Sequence, residues 1–281
     1  MSYRKEVSMK FSVLMSVYIN DNGNFLDRAI TSIWDDQEIK PSEIILIEDG
    51  PISQELSNVL KAWEKKLGTQ FKRFKLEANQ GNGAAKNFGM LHCENELIAI
   101  MDADDISKPD RFNKQLKVFE NKSIDVCGSW VDEFNKSETT IDAINKRPEN
   151  HSEIFLYSKN RNPINHPSVM FKKKSVLDAG GYIELPGCED QYLWVRMLMN
   201  KSIFFNIQES LVLMRVSDDL IHNRRSGWRQ NIKELNAQKV FFKIGFLNKF
   251  QYIRNVIVGT AYRLMPKFVV KFLYRVIRKY F

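Results

Sequence analysis

The segment LIAIMDADDISKPDR, from Leu97 to Arg111, passes from five apolar residues into three carboxylates within four positions, Asp102, Asp104 and Asp105. Like charges this close repel, and each is costly to desolvate without a positive partner. The apolar run has the length of a strand covered on both faces, so a buried strand and an ionised cluster must follow each other directly. An open α/β sheet meets that demand, because the carboxyl ends of its strands line a solvent crevice. On an extended segment Asp102 and Asp104 point the same way. Paired carboxylate oxygens there suit a hard divalent cation, Mg²⁺ or Mn²⁺, bridging phosphate oxygens. A helix N-cap at Asp105 or Ser107, ahead of a helix beginning near Pro109, accounts for one carboxylate and leaves Asp102 and Asp104 over.

The first half of the chain repeats this alternation. FSVLMSVY (Phe11–Tyr18) and EIILIED (Glu43–Asp49) read as strands. Between them Phe25, Leu26, Ala29, Ile30 and Ile33 share one helical face. A second helix carries Leu56, Val59, Leu60, Trp63 and Leu67. A short strand near Phe71–Leu76 precedes NQGNGAAKNFG (Asn79–Gly89), which opens a third helix. The pattern predicts an α/β fold with a mostly parallel sheet sandwiched by helices. After Cys127 it loosens: PSVMF and IFFNI read as strands and Glu189–Lys201 as a helix.

Charge divides the chain. From Lys201 to Phe281 there are sixteen Lys/Arg against four Asp/Glu, whereas the whole chain carries +8, so the first two hundred residues are mildly acidic. Beyond Phe250 there is no acidic residue. Two apolar rows, Leu264–Phe268–Phe272–Val276–Tyr280 and Met265–Val269–Leu273–Ile277–Phe281, run beside a basic row of Arg263, Lys267, Lys271, Arg275 and Lys279. This is the pattern of a helix lying against an anionic membrane surface, with packing on the protein's own core as the plainer reading and Pro266 as its start. The division places one domain at 1–246 and a basic amphipathic tail at 247–281. Three scattered cysteines suggest a reducing compartment, and neither a signal peptide nor a spanning apolar segment is evident. The expectation is a cytoplasmic protein, peripheral on the inner face of the membrane. The basic residues match no nucleic-acid recognition module, so a nucleic-acid partner is not expected.

Other stretches point to the same crevice. Asp49 closes the second strand, and glycines opening a helix leave N–H groups suited to phosphate, with Lys86 one turn on. Taken singly, each of these is equally consistent with a plain loop or a solvated charge.

In order, MSVYIND, SIWDDQEIKPSEIILIEDG, NQGNGAAKNFG, MDADD and GGYIELPGCEDQYLW resemble the family-two nucleotide-sugar glycosyltransferases of GT-A fold, most closely the bacterial enzymes that build O-antigen and exopolysaccharide repeat units. The likeness spans Phe11 to Phe246. It implies donor contacts at Ser16, Tyr18, Asp49, Asn79, Lys86, Asp102, Ala103 and Asp104, with Asp49 reading the uracil and Asp104 holding the metal. Lys86 stands where the family usually has arginine. It implies Asp190 as catalytic base, Glu189, Trp194 and His166 toward the acceptor, and a loop around 213–227 where His222 completes the metal's coordination and Arg215, Arg224 or Arg225 reaches the diphosphate. The implied activity is metal-dependent, inverting transfer of glucose or galactose from a UDP-sugar to an undecaprenyl-diphosphate-linked saccharide. A sugar-phosphate nucleotidyltransferase is the nearest rival, and its N-terminal glycine-rich signature is absent from this sequence.

Overall fold

The apolar runs become strands because helices cover both faces of the sheet they form. The computed structural model describes residues 9–216 and 228–264. Strands β1 (Phe11–Val17), β2 (Glu43–Glu48), β3 (Phe71–Lys75) and β4 (Leu97–Met101) lie parallel in the order β3-β2-β1-β4, and every residue of β2 and β4 is buried. Side-chain alternation divides them between two cores. Val13, Met15, Ile44, Leu46, Ala99 and Met101 face α1 (Gly23–Trp34), α2 (Gln54–Leu67) and α4 (Arg111–Asn121). Leu14, Ile45, Ile47, Ile98 and Ile100 face α3 (Asn82–His92), α7 (Glu189–Met199) and α8 (Trp228–Lys243). Each such fully buried Leu, Ile or Val contributes about 1.5–3 kcal/mol.

Beyond β4 the sheet changes direction. β8 (Met170–Lys172) runs antiparallel to β4 and to β6 (Val126–Phe134), β6 pairs in parallel with β9 (Phe204–Arg215), and β5 (Ile106–Ser107) closes antiparallel on β9. A short β7 (Ala143–Asn145) lies on β6. The parallel expectation therefore describes β1–β4 and the β6–β9 pair, while the second half is mixed. Part of PSVMF is a 3₁₀ turn, His166–Ser168, ahead of β8.

Two other expectations are corrected. Neither Asp105 nor Ser107 caps α4: its N-cap is Asp110, without a side-chain cap bond. Ser107 lies in β5 and accepts the Gln37 amide at 3.2 Å. Phe25 lies at the rim of the α1 face, exposed, with the Arg215 guanidinium 3.7 Å over its ring.

The remaining helices are α5 (His151–Ser158), α6 (Lys173–Asp178) and α9 (Lys249–Leu264). Phe246 and Leu247 are buried in the core, so the core reaches past residue 246. Asn255 in α9 donates to the Lys159 carbonyl (2.7 Å) and to Gln238 Oε1 (2.9 Å), tying the described part of the tail to the body. Residues 265–281, which hold Pro266 and most of the two apolar rows, lie outside the described residues, as do 1–8 and 217–227. Among the described residues no helix is long and apolar enough to cross a membrane, and Cys93, Cys127 and Cys188 are buried free thiols.

Helix α3 reaches the sheet through Gly89. A Cβ there would stand 2.3 Å from Leu14 Cδ1 and 2.9 Å from Ile47 Cγ1, so only glycine lets the helix lie this close to β1 and β2. Gly89→Val is expected to lower stability by about 1–3 kcal/mol through overpacking. Urea unfolding measures this, and a variant as stable as the parent would show that α3 does not need that approach.

Candidate active site

The carboxyl ends of β1 and β2 lie level, with Val17 paired to Glu48, and β4 ends two residues short of them, with Met101 paired to Met15. Asp49, just past β2, is buried, and its carboxylate accepts the N–H groups of Gln80 (2.7 Å) and Gly81 (3.0 Å). Asn79 donates to the Asp49 carbonyl at 3.2 Å. Gly50 has φ +84°, and a Cβ there would meet the Asn79 backbone nitrogen at 2.6 Å, so this crossing requires glycine. Asp49 and Asn79, two of the expected donor residues, thus come together as a clamp on the loop entering α3. That helix has Gly81 as its N-cap and no capping side chain, so its first-turn N–H groups lack a side-chain acceptor of that kind.

Asn82 links the strand ends. It accepts from the Ser16 hydroxyl at 2.8 Å and from the Lys86 ammonium. Lys86 is almost wholly buried, 3.3 Å from Asp102 Oδ1. Ser16, Asn82, Lys86 and Asp102 therefore form one connected line across three elements.

Positive groups of the protein itself lie among the carboxylates. Beneath them Arg111, with no exposed surface, donates to the Ile100 carbonyl at 2.8 Å and to Gln115 Oε1 at 3.1 Å. Burial pushes its guanidinium down to about 9, with Asp105 and Asp102 opposing, so it stays charged at neutral pH. Asp105 accepts the Arg215 N–H at 2.8 Å, and burial followed by the fields of Asp104 and Asp102 holds its carboxyl well above the usual range. Arg215 Nε donates to the Asp104 carbonyl at 3.2 Å. Ala103 is buried between the two outward aspartates.

Sequence reasoning named no role for Asp21. Its Oδ2 accepts the Tyr18 N–H at 3.0 Å. Its pKa is pushed up to about 6, chiefly by burial and further by Asp104 and Asp102, against the Tyr18 N–H and Lys86. Asp21 thus lies within the fields of both Asp104 and Asp102. Among the described residues no group of three or more His, Cys, Asp or Glu side chains is placed to hold a metal ion. Carboxylate oxygens such as those of Asp102 and Asp104 are the donor type that a hard divalent cation takes. His222, Arg224 and Arg225 lie outside the described residues.

The expected acceptor side meets the same crevice. His166 Nε2 lies 3.0 Å from the Tyr182 hydroxyl. Burial holds the His166 pKa down, with help from Lys86 and against Asp102 and Asp190, which keeps the ring neutral. Asn87 of α3 fixes Tyr182 by bonding its N–H (2.8 Å) and its carbonyl (2.7 Å). Asp190 opens α7, and its Oδ2 accepts the Asn162 amide at 2.6 Å. Glu189 turns back to accept the Gly187 N–H at 3.2 Å. Trp194 is corrected: it is fully buried, 6.2 Å ring to ring from both Phe204 and His166, and offers no surface to an acceptor.

Asn82, Asn162 and Tyr182 were also missed as individual residues. Asn82 and Tyr182 sit within motifs read only as wholes, and nothing local marks Asn162.

Residues 12–181 match the family described as "Glycosyl transferase family 2". The chain is 38% identical over 273 residues to the Escherichia coli "UDP-Gal:alpha-D-GlcNAc-diphosphoundecaprenol beta-1,3-galactosyltransferase", covering 96% of this chain and 98% of that one. It is 32% identical to the "Amylovoran biosynthesis glycosyltransferase AmsE" of Erwinia amylovora, over 96% of this chain and 99% of that one. Among solved structures it is similar to S. aureus TarS 1-349 in complex with UDP-GlcNAc, with TM-score 0.62 and 18% identity over 83% of this chain and 67% of that one. It is also similar to the mannosyltransferase PcManGT from Pyrobaculum calidifontis in complex with GDP-Man and Mn²⁺, with TM-score 0.63 and 12% identity over 91% of this chain and 70% of that one. At those identities the likeness shows the shared GT-A fold alone. The extent of the family match and of the bacterial relatives' likeness makes this chain a glycosyltransferase and a member of glycosyl transferase family 2.

Proposed function

We propose that this enzyme transfers a hexose, galactose by its likeness to the Escherichia coli relative, from a UDP-sugar to a saccharide carried on a polyprenyl diphosphate, with inversion, in the assembly of a bacterial surface polysaccharide. The observation that carries this reading is that Lys86, Asp102, His166, Tyr182 and Asp190, from separate segments, come close enough to bond or to act on one another's charge.

Each group has a task that its surroundings suit. The α3 entrance, Ser16 and Tyr18 face the nucleotide, and Asp49 combines uracil contact with its visible work of holding the loop. Asp102 and Asp104 hold the ribose side and a divalent cation, which when bound supplies charge neutralisation to the departing diphosphate. Lys86 holds Asp102 in place. Asp190 takes the proton of the attacking hydroxyl, whose own pKa lies far above neutrality. Asn162 fixes the orientation of that carboxylate, so the proton-accepting oxygen is pre-set. The neutral His166–Tyr182 pair lies between the donor carboxylate and the base, where it orients the acceptor sugar without competing for the proton. Residues 247–281 are proposed to hold the enzyme on the inner face of an anionic membrane, with Phe250, Ile253 and Ile257 exposed on the described part.

Asp190→Asn tests the assignment. Binding of the UDP-sugar, read by calorimetry, is retained while transfer falls by about 10²–10⁴-fold. Normal turnover in that variant would remove Asp190 as base.

The acidic group makes a second prediction. Between the ordinary Asp value of 3.8 and about 6, the unfolded chain releases the Asp21 proton that the folded chain retains, so metal-free stability falls as pH rises through that window. Asp21→Asn removes this fall. In chelator, its melting temperature above pH 6 exceeds the parent's, and the two converge near pH 4. Parallel curves at all pH values would show that Asp21 is not the strained carboxylate.

A further inference from the structure

A basic cleft opens beside the proposed catalytic base. It has a volume of about 720 Å³ and lies between α5, the loop after it, α8 and α9. Among the described residues three arginines line it, Arg147, Arg161 and Arg254, against a single carboxylate, Glu234. A second hollow of about 600 Å³ shares Arg147, Tyr157 and Arg161 with it, adds Lys146, and has no carboxylate on its described wall. Asn162, which grips Asp190, is part of the first cleft's wall. The cleft therefore begins one side chain away from the base.

Its chemistry is specific. Arg147 is held by the Asn145 side chain and by the Lys146 carbonyl at 2.9 Å, and its guanidinium lies 5.9 Å from the Tyr157 ring centroid. Arg254 is fixed by Asn160 and by Asn255 Oδ1 at 2.9 Å. Arg161 is exposed at the rim between the two hollows. The Arg254 guanidinium, fixed on neutral amides, retains its attraction for a bidentate anion such as a phosphate. Along α9 the cleft-facing row Arg254–Val258–Tyr262 borders an apolar exposed row, Phe250, Ile253 and Ile257, exposed by 75%, 44% and 62%. An anion site that shares Asn162 with the base, flanked by an apolar helix face, matches a ligand with a sugar, a diphosphate and a hydrocarbon chain in that order.

We infer that the cleft of Arg147, Arg161 and Arg254 seats the diphosphate of the lipid-linked acceptor, and that the exposed row of α9 receives the start of its hydrocarbon chain. The inference rests on the proposed function and adds to it the site that selects the acceptor. Acceptor recognition then depends on the diphosphate as well as on the terminal sugar, and a neutral glycoside of the same sugar is a poor substrate.

The test uses the full chain, a UDP-hexose donor and two acceptors: a hexosamine on a diphosphate with a short aryl-alkyl tail, and the same hexosamine on a neutral alkyl aglycone. The parent prefers the diphosphate acceptor. Arg161→Ala and Arg161→Ala/Arg254→Ala raise its KM by about tenfold or more while the donor KM stays put, and the preference over the neutral acceptor shrinks. Arg161→Lys retains part of the preference. Because Arg161 is an exposed rim residue, its single variant keeps the test independent of α9 packing. Variants that lower kcat alone, or weaken both acceptors in equal proportion, would overturn the assignment. A parent enzyme that uses both acceptors equally would overturn it while leaving sugar transfer intact. A parent that hydrolyses donor yet glycosylates neither acceptor would remove the acceptor class itself, and the cleft's role with it.

Discussion

Carboxylates at the end of a buried strand can persist only where protein cations hold them and solvent reaches them, and both conditions are built in here. Arg111 lies beneath the cluster in full burial, Lys86 comes in from α3, and Arg215 ties both Asp104 and Asp105 through backbone contacts. Asp105 and Asp21 both have raised pKa values, and in each case the neighbouring aspartates add to the effect of burial. The divalent cation of the proposed function would lower that mutual repulsion.

Placing Lys86 in the crevice depends on packing elsewhere. Gly89 lets α3 lie on Leu14 and Ile47, and one turn earlier Lys86 then reaches Asp102. The other end of α3 is located by the Asp49 clamp and by the close crossing at Gly50. Asn87 on the same helix carries Tyr182, and Tyr182 carries His166. One helix thus locates both the donor line and the acceptor-side pair, through Gly89 at the sheet and the side chains of Asn82 and Asn87.

Much of this was legible beforehand where apolar period and ligand chemistry coincide. The runs at Phe11, Glu43 and Leu97 are strands because nothing but a doubly covered sheet accommodates them. Asp49, Lys86, Asp102 and Asp190 lie in ordered motifs whose spacing survives folding. Arg111 was not legible, since an arginine in a first helical turn reads as a surface charge, and only the sheet above it makes it a buried counter-ion. Local pattern offers Asp105 or Ser107 as a cap, the plainer alternative to a ligand site, but Asp105 takes its donor from a strand 110 residues later. Trp194 shares a motif with Asp190, yet the helical turn between them sends one into the crevice and the other into the core.

The sequence by itself determined the strand-and-helix alternation, the acidic strand end and the glycine-opened helix, since these follow from hydrophobic period, charge proximity and backbone freedom within a few residues. Tertiary structure alone decided the reversal of the sheet after β4, the partnership of His166 with Tyr182 and of Asn162 with Asp190, and the meeting of Arg147, Arg161 and Arg254 in one cleft. Those pairings join segments far apart along the chain, and no local preference encodes which distant surface a short loop will face.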